Sequence, residues 1–425
     1  MRIVWSLVLL CFASVAQANL VIEITQGRDD AVPIAVVPFA TQGEKVAEDI
    51  AAVVSADLHR SGLFEPIDRN DLLSRPSQGK DIIWRDFRVL KSEYLVIGRV
   101  EEKGGDEYKV AYELYDVQQG NQLLNESFTA RENRFRDVAH TIADNIFEQL
   151  TGIPGAFNTK ILYVTVNDGD KYPYQLQYAD ADGHRTKTIL RSKEPIMSPS
   201  WSPDGRKVAY VSFEEDGLPK IFVHNLVTAE RQVVSQSEGI NGAPAWSPDG
   251  QQLALTLSKD GHAQIYTLDL RTNKLTRRTH TRSLETEARW MPDGQSLVFT
   301  SGRGGGPQIY QLDLRSGKAK RLTFNGPYNA RPDITPDGRH LVYVHRKDGQ
   351  YQIGVQDLKR NTFNVLTTSN LNESPSVAPN GTMVIYGSRQ GGKGVLEAIS
   401  IDGKVRVALP SEAGEVREPA WSPFL

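Results

Sequence analysis

The sequence predicts a six-bladed β-propeller preceded by a small α/β domain. Three observations carry that prediction: a five-residue mark that recurs at almost constant spacing, strand patterns between the marks, and a change to helical periodicity upstream of Lys160. The marks are Trp201-Ser-Pro-Asp-Gly205, Trp246-Ser-Pro-Asp-Gly250, Trp290-Met-Pro-Asp-Gly294, Ile334-Thr-Pro-Asp-Gly338, Val377-Ala-Pro-Asn-Gly381 and Trp421-Ser-Pro-Phe-Leu425, at intervals of 45, 44, 44, 43 and 44 residues. A period of this length with strands between the marks signals one four-stranded blade per repeat.

Within each repeat the Pro-Asp-Gly or Pro-Asn-Gly triplet makes a tight turn, where Gly accepts a positive φ and Asp or Asn bonds its own backbone. An apolar strand follows, as at Val208 to Phe213, Leu253 to Leu257 and Met383 to Tyr386. A third, alternating strand comes next, at Gln264 to Leu270 and Gln308 to Leu314. The fourth is polar, at Lys274 to Thr279 and Lys318 to Thr323, and suits an outer edge. Ile161 to Val164 opens a blade that lacks an innermost strand, while Pro419 to Pro423 is an innermost strand with nothing after it. The two therefore complete each other, and the C-terminal strand closes the first blade. The repeated tryptophans at 201, 246, 290 and 421, spaced by a blade, are read as packing residues.

Upstream, Pro33 to Phe39 reads as a buried strand and Glu44 to Ser61 as a helix. A second helix is expected over Lys80 to Leu90, three strands at Tyr94 to Val100, Lys109 to Val117 and Gln122 to Ala130, and a final helix over Arg134 to Leu150. Gly152-Ile-Pro-Gly155 breaks that helix. The domain plan is thus 33–152 for the α/β domain, 153–159 for a linker and 160–425 for the propeller.

The first residues have a basic start, an apolar run from Ile3 to Val15 and the small-x-small site Ala16-Gln17-Ala18. That pattern predicts a signal peptide, 1–18, cut after Ala18. The lone cysteine, Cys11, leaves with it, so the mature chain has no thiol. Leu10 before Cys11 argues against lipid attachment. With 39% apolar residues, 24% charged residues and a net charge of −3, nothing drives bulk association with nucleic acid or anionic lipid. A soluble monomer is expected, without membrane insertion.

No Gly-x-Ser-x-Gly nucleophile turn occurs; Gly387-Ser388 is read as a turn at a strand end. The eight histidines are scattered, no His-Glu-x-x-His is present, and no metal or cofactor is expected. Asp180-Ala-Asp182-Gly183 reads as a hairpin turn rather than a calcium loop, and the runs 302–306 and 391–394 as hairpin connections rather than phosphate loops. A competing class is a propeller hydrolase or lyase acting on a sugar or peptide. It requires carboxylates converging on the channel mouth, for which Glu285, Glu287, Glu373 and Glu418 are the candidates.

The repeats favour a binding protein over that enzyme. Structure demands uniform turns, whereas the loops leading into the innermost strands differ from blade to blade, so a partner-specific surface is expected there. The candidate positions are Met197, Ile240, Asn241, Ala243, Thr286, Ala330, Glu373 and Arg417.

The whole chain resembles the TolB family of periplasmic Tol-Pal components. The most specific stretches are Pro33-Ile-Ala-Val-Val-Pro-Phe39, Ser55-Ala-Asp-Leu-His-Arg-Ser-Gly62, Leu150-Thr-Gly-Ile-Pro-Gly-Ala-Phe157, Ala378-Pro-Asn-Gly-Thr-Met-Val-Ile-Tyr386 and Pro419-Ala-Trp-Ser-Pro-Phe-Leu425. The resemblance implies a non-enzymatic hub. It would bind the peptidoglycan-associated lipoprotein Pal at the channel entrance and the inner-membrane protein TolA through the N-terminus, keeping the outer membrane intact and aiding its constriction at division. Bacteriocins and other outer-membrane proteins are further partners implied. The family's Pal contacts fall on the loop matching Ile240 to Ala243 and on Thr286; Ile240 departs from the histidine expected there. The segment 19–32 matches the family's switch peptide, with Leu20, Val21, Ile22, Glu23 and Ile24 as the TolA-binding strand. That strand either augments a partner sheet or docks back on its own domain, and the residues alone read equally as an edge strand of the α/β domain.

Overall fold

The computed structural model describes residues 24–26, 30–42, 48–368, 371–410 and 414–425; the signal-peptide expectation lies outside them. The α/β domain is built on a sheet in the order Phe64–Pro66, Val32–Val36, Tyr94–Gly104, Glu107–Asp116, Gln122–Arg131, with Ala40–Gln42 also on the Tyr94–Gly104 strand. The strands meeting Val32–Val36 run parallel to it and the last pairs are antiparallel. Helices α1 (Ile50–Arg60) and α3 (Phe135–Thr151) bury Val54, Leu58, Ile142 and Ile146 against Val96, Val110 and Tyr112 on one face. Helix α2 (Trp84–Val89) places Phe87 on Leu95 and Ile97 of the other.

Two helix limits differ from expectation. Asp49 caps α1 by accepting from the Ala52 N–H at 3.0 Å, so the helix begins at Ile50 rather than near Glu44. The second helix is a 3-10 turn, Gly79–Asp81, separated from α2 by Ile82 and Ile83, whose non-helical backbones (ψ 124° and 87°) suit β-branched side chains. α3 ends on Gly152 at φ 73°, the left-handed cap that glycine adopts without penalty.

Six four-stranded blades follow. In the first, Glu415–Trp421 pairs antiparallel with Lys160–Val166, Arg417 opposite Val164 and Trp421 opposite Ile161, so the C-terminal strand closes the ring. The tryptophans do more than fill space. The indole N–H of Trp201 donates to the Ala420 carbonyl at 3.1 Å, that of Trp246 to Ser200 at 3.3 Å and that of Trp290 to Ala245 at 3.1 Å, stapling each innermost strand to the one before. The turns behave as their chemistry requires: Ser202 Oγ donates to Asp204 Oδ1 at 2.6 Å and Gly205 sits at φ 65°. Gly387 and Ser388 lie inside the strand Met383–Gln390, with Ser388 buried, not at a turn.

The N-terminal segment also departs from expectation. Ile24–Gln26 does not pair in the α/β sheet; it pairs antiparallel with Arg406 and Val407 as a fifth strand on the outer edge of the last blade. That edge is bare without it, and an unpaired edge attracts a strand. Leu20 to Glu23 lie outside the described residues.

Candidate partner-docking surface

The propeller has two unlike ends. The Pro-Asp-Gly turns gather at the end facing the α/β domain, where Pro336, Asn380 and Phe424 line a largely apolar cavity of about 560 Å³ with Leu63, Phe147 and Ile153. The loops leading into the innermost strands form the opposite, open mouth.

Each innermost strand carries one bulge near that mouth. At every bulge the residue three before the repeat mark adopts a left-handed backbone: Ser198 (φ 52°), Ala243 (46°), Glu287 (56°), Arg331 (53°), Ser374 (51°) and Glu418 (51°). This conformation is uncommon for residues other than glycine, and its sixfold repetition turns six side chains onto the channel axis, where they line a cavity of only about 60 Å³. Arg331 closes most of the ring. Its guanidinium lies 3.1 Å from Glu287 and 3.6 Å from Glu418, two blades away, and bonds Ser374 on the next blade. Glu418 also accepts from the Ser198 N–H, and Glu287 from Thr300 Oγ1 at 2.8 Å. Burial opposes the Arg331 charge, but Glu418, Glu287 and Glu373 outweigh it and raise its pKa. Ala243 is the one ring position without a polar side chain, so it leaves a notch.

The sequence candidates divide around this ring. Met197 (39% exposed), Ile240 (48%), Glu373 and Arg417 stand on the mouth surface, and Thr286 is half-buried with its hydroxyl 3.3 Å from that of Thr256. Asn241 and Ala330 are turned inward. Asn241 bonds Ser235 Oγ, the Ser237 carbonyl and the Ser237 N–H, which pins the loop that presents Ile240. Of the carboxylates weighed for an enzyme, Glu285 is fully buried against Arg303 at 2.8 Å, and Glu287 and Glu418 are held by Arg331. Glu287 and Glu418 share a cavity of only about 60 Å³, and Glu373 faces a separate cleft. Of the ring, the sequence singles out Ala243 for binding and Glu287 and Glu418 only as carboxylates for an enzyme, and not Ser198, Arg331 or Ser374, although a proline follows five of the six ring positions, at 199, 244, 332, 375 and 419.

Beside the notch, between blades two and three, a trough of about 880 Å³ is lined by Met197, Val211, Phe213, Leu218 and Ile240. Leu218 and Ile240 are largely exposed. Exposed apolar side chains gathered in one concave place mark an interaction site.

At the domain-facing end, where the sequence pattern predicts only a hairpin turn, lies a buried ion cluster. Asp180 and Asp182, at the hairpin after Tyr174–Asp180, meet α1 and α3. His140 Nδ1 is 2.6 Å from Asp57 Oδ2, and its Nε2 lies 3.8 and 3.7 Å from Asp180 and Asp182. Asp180 also takes Lys160 and Arg185, each at 2.6 Å, and Arg136 bridges Asp182 and Glu48. Burial disfavours a charged His140, but Asp57, Asp180 and Asp182 outweigh it and lift its pKa to about 9. Burial likewise opposes the Asp182 charge, yet Arg60, His140 and Arg136 hold its pKa down to about 2. Asp57, His140 and Asp182 are close enough to share one cation. The arginines already at the site, Arg60 and Arg136, balance that charge and leave an ion little to gain.

The chain is thus a propeller scaffold of six blades, with an α/β domain at one end and a patterned mouth at the other. Residues 147–425 match the family described as the TolB beta propeller domain, and residues 20–123 the TolB amino-terminal domain. A Tol-Pal system protein TolB of Alcanivorax borkumensis is 63% identical over 96% of this chain and 94% of its own length, and that of Pseudomonas syringae pv. tomato is 50% identical over 99% and 98%. The crystal structure of TolB from Acinetobacter baumannii superposes with a TM-score of 0.88 at 43% identity, covering 95% of this chain and 99% of that one. The chain belongs to the TolB family of Tol-Pal system proteins.

Proposed function

We propose that this protein is a periplasmic binding hub and not an enzyme. It takes the lipoprotein Pal on the propeller mouth and TolA through the segment Leu20 to Ile24, and so maintains the outer membrane and its constriction at division. The observation that carries the reading is the mouth itself: a notch at Ala243 in an otherwise closed ring, beside an exposed apolar trough. Met197, Ile240, Ala243, Thr286, Glu373 and Arg417 supply the contact surface, while Asn241 and Ala330 support it from within. Membership of a Tol-Pal family supports partners within that system, and bacteriocins that enter through it would use the same face. The pairing of Ile24–Gln26 with the last blade supports a detachable N-terminal strand.

Calorimetric titration of the mature chain with the soluble domain of the peptidoglycan-associated lipoprotein tests this. Binding by the wild type, and its loss in a folded Ala243→Arg, Thr286→Arg variant, is the expected result; a wild type that does not bind ends the reading.

A further inference from the structure

The mouth is polarised. The hairpins that rise around it join the second and third strands of each blade, and their charges sort by half-ring. Those of blades one to three (167–173, 213–219 and 258–263) hold six carboxylates and two lysines, a net −4; those of blades four to six (302–307, 346–349 and 389–394) hold five Lys or Arg and one Asp, a net +4. Partners on neighbouring strands reduce the contrast without removing it. Arg231 pairs with Glu214, Lys220 with Glu215 and Asp216, and Arg277 with Asp260, which leaves the first half at −1; Glu285 takes Arg303 and Glu415 takes Arg389, which leaves the second at +2. The apolar trough over Leu218 and Ile240 lies in the acidic half. Across the channel, blades five and six offer a cleft of about 430 Å³ lined by three arginines, Arg331, Arg389 and Arg417, and two carboxylates, Glu373 and Glu415, with a smaller apolar wall than the trough.

Resting on the reading that the lipoprotein domain binds this mouth, we propose that it does so in a single orientation. An apolar side chain flanked by basic residues enters the trough over Met197, Leu218 and Ile240, and carboxylates of the same domain lie over Arg346, Arg389 and Lys393. Two unlike halves make the reversed arrangement place like charges together and leave the trough empty, which is how an interface selects one register. Ile240 belongs to this device: an apolar residue there extends the trough wall that a histidine would interrupt.

The test is titration of the soluble lipoprotein domain against four forms of the full mature chain: wild type, Ala243→Arg, Leu218→Asp with Ile240→Asp, and Arg389→Glu with Lys393→Glu. Leu218, Ile240, Arg389 and Lys393 are exposed and Ala243 is half-buried in the ring, so a thermal melt confirms folding of each variant. Placing carboxylates in the trough is expected to weaken binding roughly tenfold or more, the equivalent of losing one buried apolar side chain. Reversing the basic half is expected to slow association and flatten its salt dependence. If Ala243→Arg abolishes binding while both other variants stay within about twofold of wild type, the polarity is overturned and the mouth assignment stands. If wild type does not bind, or Ala243→Arg binds like wild type, both are overturned.

Discussion

The two ends of the propeller use charge in opposite ways. At the mouth, Arg331 is about a third exposed and its carboxylates Glu287 and Glu418 less so, and their contacts reach solvent that can replace them. At the domain interface, His140, Asp57, Asp180 and Asp182 are all nearly inaccessible, and His140, Asp180 and Asp182 stay charged through their ion-pair partners. The difference teaches where this molecule can adapt: a solvated network rearranges at small cost, whereas a buried one is either complete or strongly destabilising.

The strand Glu415–Trp421 belongs to both ends, since Glu418 completes the ring while Trp421 donates to Thr159 Oγ1 at 2.8 Å beside the linker. Deleting residues 415–425 should therefore have the largest effect, leaving the first blade without its innermost strand. The expected outcome is loss of the cooperative melt and rapid proteolysis; a variant that melts within a few degrees of wild type would show that the ring closes by other means.

Next in size is the contrast between ends. Asp180→Ala leaves Lys160, Arg185 and His140 without their shared partner and should cost about 3–5 kcal/mol in urea unfolding. Arg331→Ala, at a partly solvated site, should cost about 1 kcal/mol or less. Equal losses would erase the distinction between the two ends.

The pH dependence sharpens it further. His140 has a folded pKa raised to about 9, above the ordinary value of 6.5, so its charged form stabilises the fold fully below about pH 6.5. That stability is lost as the pH climbs through 9, by an amount on the order of 3 kcal/mol. Asp182, held at about 2, contributes above its ordinary value of 3.8 and is lost as the pH falls through 2. Thermal midpoints should thus fall between pH 6.5 and 9.5 in the wild type and much less in His140→Gln. An unchanged slope in the variant would assign the alkaline loss to other groups.

Much of the fold was legible because the propeller repeats. Six marks, their turns and the truncated last repeat led directly to blade number and ring closure. The mouth was legible only as a region, since a loop's position follows from strand order but its side-chain direction does not. The bulge at each ring residue reverses the alternation by which a strand is read, so Ala330 and Asn241, read as surface positions, turn inward, while Glu287 and Arg331 take the axis. The ion cluster was less legible still. Asp57, His140 and Asp182 are distant in sequence, and only the packing of α1 and α3 on the first blade unites them. The docking of Ile24–Gln26 on the last blade was equally hidden, because a three-residue strand carries no mark of which edge it joins.

The smallest expected effect concerns Asn380, which stands where four of the other blades have aspartate. In those turns the carboxylate only receives hydrogen bonds, as Asp204 does from Ser202 and Arg206. Asn380 keeps that function, accepting from the Thr382 N–H at 3.1 Å and its hydroxyl at 2.9 Å, but its Nδ2 also donates to the Pro154 carbonyl of the interdomain segment at 2.9 Å. An aspartate preserves the first set and cannot make the second; it sets a carboxylate oxygen against a carbonyl instead. Asn380→Asp should therefore cost about 1 kcal/mol, the worth of one solvent-accessible hydrogen bond. Hydrogen exchange should quicken in the segment 152–158 and not in the blade's own strands. Faster exchange throughout the last blade would mean that Asn380 serves its turn alone, and that the link between propeller and α/β domain rests on the buried ions and the apolar contacts around them.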